Sequence, residues 1–108
     1  MLKKYCLVIL LKLLLFANLS AQTLTSDENF QMARKEAFDH KNYDAAIRLC
    51  KQALQQTPDY PDIQVFLGRV YYWNKQPDSS LQMLKGALET NPAHEDASIA
   101  ITIYNNLY

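Results

Sequence analysis

Gly68-Arg69-Val70-Tyr71-Tyr72-Trp73 decides how this chain is read, because the residues around it recur at a fixed distance. Pro58 and Pro92 are 34 residues apart. At that offset Ala33 falls on Leu67, Arg34 on Gly68, Ala37 on Tyr71, Ala46 on Ser80, Cys50 on Leu84 and Ala53 on Ala87. Self-similarity at such a period marks a stacked repeat architecture, in which each unit buries its apolar face only against its neighbours. The shared pattern is an apolar residue in a first helix, a small one where two helices touch, and a proline that ends the pair. It predicts an all-α helical-hairpin solenoid, with two full repeats followed by an unpaired C-terminal helix.

Composition agrees with that class. The chain has 108 residues, 49% of them hydrophobic, which bounds it to one small domain with a modest core. Two glycines and four prolines favour helix over a turn-rich β fold. The formal charge is zero, but Lys3, Lys4 and Lys12 lie in a leader-like segment. Without those three, eight basic residues face eleven acidic ones. A mildly acidic balance argues against a nucleic-acid partner.

Residues 1–21 read as a secretory signal peptide. Lys3 and Lys4 give the positive start, Leu7 to Phe16 the apolar middle, and Leu19-Ser20-Ala21 a cleavage site before Gln22. Lys12 and Asn18 interrupt the run, so it falls short of the roughly 20 clean apolar residues that span a bilayer. Cleavage removes Cys6 and leaves Cys50 alone, at a repeat position that suits a small core residue. The rest divides into a lead-in at 22–26, a first repeat at 27–58, a second at 59–92, and half of a third at 93–108.

Local signals place the helices. Thr25 with Glu28 resembles a capping box for a helix over about Asp27–His40, whose apolar positions are Phe30, Ala33, Ala37 and Phe38. Lys41-Asn42 makes a turn, and Asn42 caps a helix over Tyr43–Gln56 with a stripe of Ala46, Ile47, Cys50, Ala53 and Leu54. Ala46 and Ala53 matter because a methyl side chain lets two helix axes approach closely. Pro58 stops that helix, and Pro61 opens the next, over Pro61–Asn74. Its core residues are Ile63, Phe66, Leu67, Val70 and Tyr71, and Gly68 points to close helix contact. Pro77 opens a fourth helix with Leu81, Leu84, Ala87 and Leu88 buried, ended by Asn91 and Pro92. A fifth, from His94 or Glu95 to Asn106, is rich in apolar residues and has no polar capping helix after it. Residues 95–107 therefore call for a covering surface, supplied by a second copy of the chain or by a further C-terminal region.

Over about residues 27–107 the spacing resembles the tetratricopeptide repeat family, carried by Leu67, Gly68, Tyr71, Ala87 and Pro92 in one repeat and Ala33, Ala46, Ala53 and Pro58 in the other. Departures are Phe30 and Gln64 where that family often has tryptophan, Arg34 in place of a small residue, and Ser80 in place of alanine. Preceded by a signal peptide, the repeats also resemble the periplasmic front part of YaiO-type outer-membrane β-barrel proteins of Gram-negative bacteria, in which a Gly-Arg-x-Tyr-x-Trp stretch recurs. Here that stretch is Gly68, Arg69, Tyr71 and Trp73, and these 108 residues hold no barrel. The resemblance implies a periplasmic location, on the inner side of the outer membrane.

In a stacked array the first helix of each hairpin lines the concave side. That side is expected to carry Glu28, Gln31, Lys35, Phe38 and Asp39, then Asp62, Val65, Arg69, Tyr72 and Trp73, then Asp96, Ile99, Ile103 and Asn106. Arg69, Tyr72 and Trp73 form a candidate anchor for a protein, a peptide or a glycan, because arginine and aromatic residues dominate binding hot spots. The competing reading is that Tyr72 and Trp73 pack against neighbouring repeats. No catalytic or metal-ligand signature stands beside these residues: His40 and His94 lie in separate turns with no second ligand at the required spacing, and no G-x-S-x-G, H-E-x-x-H or phosphate-cradling loop occurs. The sequence thus predicts an exported binding module with no enzymatic activity, no cofactor and no metal. It is either the front of an outer-membrane protein or a self-contained adaptor that dimerises through its last helix.

Overall fold

The computed structural model describes residues 24–107, so the leader-like segment lies outside the described residues. Among the described residues five helices follow one another: α1 Ser26–Phe38, α2 Tyr43–Gln56, α3 Pro61–Trp73, α4 Pro77–Thr90 and α5 Glu95–Leu107. They form two helical hairpins and a fifth helix packed on the second hairpin, with no strand among the described residues.

Helix starts follow from how the sequence handles the unpaired amides of the first turn. Thr25 Oγ1 accepts from the Glu28 N–H at 3.2 Å, and Asn42 Oδ1 from the Ala45 N–H at 3.2 Å. Pro61 and Pro77 open α3 and α4 without a side-chain cap, since a proline in the first turn has no N–H to satisfy. For α5 the cap is His94, whose Nδ1 accepts from the Ala97 N–H at 3.3 Å.

α5 runs to Leu107 rather than Asn106, and two other ends differ from expectation. α1 stops at Phe38 rather than His40, and α3 at Trp73 rather than Asn74. Both are followed by a lysine in the left-handed region, Lys41 at φ 51° and Lys75 at φ 61°. There the chain reverses and ties its amide back to the helix end, Asn42 N–H to the Glu36 carbonyl at 2.9 Å and Gln76 N–H to the Tyr71 carbonyl at 2.8 Å. The two lysines occupy the same place in their repeats, so the turn itself is repeated.

Packing follows the repeat phase. Ala33, Leu67, Ala46, Ser80, Cys50, Leu84, Ala53 and Ala87 are each 0% exposed, and Ala37 and Tyr71 are buried with them. One core joins α1, α2 and α3 around Ala33, Ala46, Ala53, Ile63, Leu67 and Val70. A second joins α3, α4 and α5 around Val65, Leu84, Ala87, Ala97, Ala100 and Tyr104. Pro58 and Pro92 are exposed just past the ends of α2 and α4. Burial pushes the Cys50 thiol up to about 12, so it remains a neutral, unreactive core group near neutral pH.

Repeats are also stitched by matching polar contacts. Tyr60 donates from its hydroxyl to Asp27 at 2.9 Å, and one repeat later His94 Nε2 meets Asp62 at 2.9 Å. In each case the residue ahead of a hairpin's first helix reaches back to an aspartate in the first turn of the preceding one. The bond to Asp27 also raises Tyr60 above the ordinary phenol range. Because His94 Nδ1 accepts from a backbone amide, its proton resides on Nε2 and is donated to Asp62.

Candidate functional site

The first helices of the hairpins, α1 and α3, together with α5, border a groove of about 330 Å³. Helical spacing explains its α1 wall: Phe30, Arg34 and Phe38 are four residues apart and line one stripe. Asp62, Val65, Phe66 and Arg69 come from α3, and His94 and Asp96 from the start of α5.

Aromatic rings make its floor rigid. Phe66 meets Phe30 edge-on with centroids 5.5 Å apart, Phe38 at 5.7 Å and Trp73 at 6.4 Å. Phe38 also touches Trp73 at 5.8 Å, and Tyr43 meets Trp73 at 6.0 Å. Phe66 is 7% exposed, whereas Phe38 remains 55% exposed. Phe38 was expected both among the apolar positions of α1 and on the concave side; it stands at the groove edge, in contact with two rings and open to solvent.

Charge is distributed across the groove rather than along one wall. The Arg34 guanidinium sits 5.6 Å above the Phe30 ring. Arg69 is half-buried, and its positive charge partly offsets the rise in the Tyr104 pKa that burial causes. Asp62 is engaged by His94. Among the described residues, no lysine or arginine lies within ion-pair distance of a carboxylate; the two ion pairs present are those of His40 with Glu36 and His94 with Asp62.

The structure distributes the residues singled out in the sequence over several places. Phe38 and Arg69 line the groove, with Asp62, Val65 and Asp96. Val65 is 5% exposed and lies beneath α5. Tyr72 stacks face to face on Tyr104, centroids 3.8 Å apart and planes 1° from parallel, while Trp73 belongs to the ring cluster under the groove. Lys35 and Asp39 are exposed and lie outside the groove lining. Ile103 borders a shallow depression on α5 with Ser98, Ile99 and Thr102, and Asn106 is exposed near the end of the same helix. Phe30, Arg34, Phe66 and His94 line the groove without having been singled out for it. The four-residue spacing of Phe30, Arg34 and Phe38 was a readable signal for two of them. Burial of Phe66 on one side and exposure on the other is a property of the assembled fold.

No group of three potential metal ligands gathers among the described residues. Compared with known proteins, the chain matches a family model described as tetratricopeptide repeat over residues 37–102, more than half of its length. No curated protein matches it.

Proposed function

The chain belongs to the tetratricopeptide repeat family, and on that premise we propose that it is a non-enzymatic interaction module that holds a segment of another protein in the groove across α1, α3 and α5. The observation that carries this reading is Phe38. A large aromatic side chain, 55% exposed yet fixed between Phe66 and Trp73, offers contact area at little entropic cost. Arg34 and Arg69 flank it, and such residue types carry most of the energy in protein interfaces.

The test is to select peptides from a random display library on the purified protein and to measure their affinity by fluorescence anisotropy. Phe38→Ala is expected to weaken groove-selected peptides by about tenfold or more, the effect of losing a hot spot. Its melting temperature is expected to stay within a few degrees of wild type, because the ring is half exposed. Peptides that bind Phe38→Ala as tightly as wild type contradict the groove reading.

The proposed place of action is the periplasm, the module forming the front part of an outer-membrane protein. Lys3, Lys4, the apolar run Leu7 to Phe16 and the small residue Ala21 support export. N-terminal sequencing of the protein made in a Gram-negative host checks this, and an intact Met1 on all of it excludes cleavage. A second reading, an adaptor that self-associates through α5, is favoured by Ile99, Ile103 and Leu107, which recur at four-residue spacing and are 46%, 48% and 60% exposed. Sedimentation that remains monomeric at high concentration counts against it.

A further inference from the structure

The ions of the groove are not equivalent, and their differences define a ligand. On α3 Asp62 is already engaged by His94 at 2.9 Å, and Arg69 is half-buried with its charge felt by Tyr104. At the two outer walls the ions are not engaged. Arg34 on α1 lies over the face of the Phe30 ring, and neither it nor Asp96 on α5 has a hydrogen-bond or ion-pair partner among the described residues. The groove therefore has a free cation at one side, a free anion at the other, and Phe30, Phe38, Val65 and Phe66 between them.

We propose that the groove selects an extended peptide segment carrying one acidic and one basic side chain about six residues apart, with large apolar residues between. The proposal rests on the groove being the docking surface and adds which segment it takes. The spacing follows from helix packing. Neighbouring helix axes lie about 8–10 Å apart, so α1 and α5, with α3 between them, are separated by about 16–20 Å. An extended chain rises about 3.3 Å per residue, and five to six residues bridge that span, roughly. The acidic side chain meets Arg34 and the basic one Asp96, while the apolar centre covers the phenylalanines.

Four labelled peptides with blocked ends test this by fluorescence anisotropy: Glu-Ala-Leu-Phe-Leu-Ala-Lys, and the same sequence with Lys at both ends, Glu at both ends, or Ala at both ends. The mixed peptide is expected to bind about fivefold tighter than either single-sign peptide, the effect of one solvent-edge ion pair. Raising the salt to 0.5 M is expected to shrink that preference, since such pairs are screened. Arg34→Glu is expected to turn the preference toward the peptide with two lysines. Equal affinity of all four peptides, each weakened by Phe38→Ala, overturns the charge selection and leaves the docking surface standing. Binding of none of the four also overturns it, and the library selection then judges the groove by itself.

Discussion

Leu67→Ala is expected to lower the unfolding free energy by about 3–5 kcal/mol, the upper part of the range for a buried leucine truncated to alanine. Leu67 is 0% exposed and shares its core with Ala33, Ala46 and Ala53 and with the branched side chains of Ile63 and Val70, themselves 0% exposed. Alanine methyls cannot swing into the space a lost isobutyl group leaves, and β-branched side chains are stiff at χ1. The cavity then persists, and its cost adds to the lost transfer energy. A small domain is stable by about 5–15 kcal/mol in all. Thermal unfolding followed by circular dichroism should therefore show a drop in melting temperature of at least 12 °C, roughly, taking about 4–8 °C per kcal/mol. A drop of only a few degrees would mean that α1, α2 and α3 do not close on this residue.

Gly68→Ala carries the second large effect, and its sign is informative. On helix propensity alone the change stabilises by up to about 1 kcal/mol. A Cβ at this position, however, would lie 2.8 Å from Leu84 Cγ, 2.9 Å from Leu84 Cδ2 and 3.3 Å from the Ser80 carbonyl oxygen. Leu84 is 0% exposed and its branch point cannot retreat, while the third neighbour is backbone. Overpacking of this kind costs about 1–3 kcal/mol, so destabilisation wins. The partner is named by the geometry. In a Leu84→Ala background the added methyl has room, and Gly68→Ala should then be close to neutral or stabilising. The double variant is thus expected to be more stable than the sum of the single effects, with a coupling of at least about 1 kcal/mol. Additive effects would separate α3 from α4 at this point.

The 34-residue period makes the helices and the core readable in the sequence, because Pro58, Pro92, Ala53 and Ala87 report a steric condition that recurs in every hairpin. Local chemistry also sufficed for the starts of α1 and α2, where Thr25 and Asn42 are side chains suited to capping. Ends were less legible. Lys41 and Lys75 take left-handed conformations for which lysine has no preference, so only their recurrence one repeat apart could have marked them. Ser80 shows another limit: its repeat position gives its burial, but not that its hydroxyl lacks a hydrogen-bond partner there.

The groove was legible in part. Phe38, Asp62, Arg69 and Asp96 follow from the rule that first helices face inward, and Phe30 and Arg34 share a stripe with Phe38. What spacing within one helix cannot give is how three helices meet. The stacking of Tyr72 on Tyr104 joins α3 to α5, and the contact of His94 with Asp62 does the same at the other end of those helices. Both depend on the relative placement of two repeats. They also tie Tyr72 and Asp62 into the structure, while Phe38 and Arg34 stay exposed.

Amide chemical-shift mapping with a library-selected peptide tests the docking surface most directly. If the groove is where this protein holds its partner, the largest changes on titration fall on Phe30, Arg34, Phe38, Phe66 and Arg69, and Phe38→Ala removes them at the same peptide concentration. Changes centred instead on Ile99, Ile103 and Leu107 of α5, or on Leu54 and Met83 of α2 and α4, would contradict it.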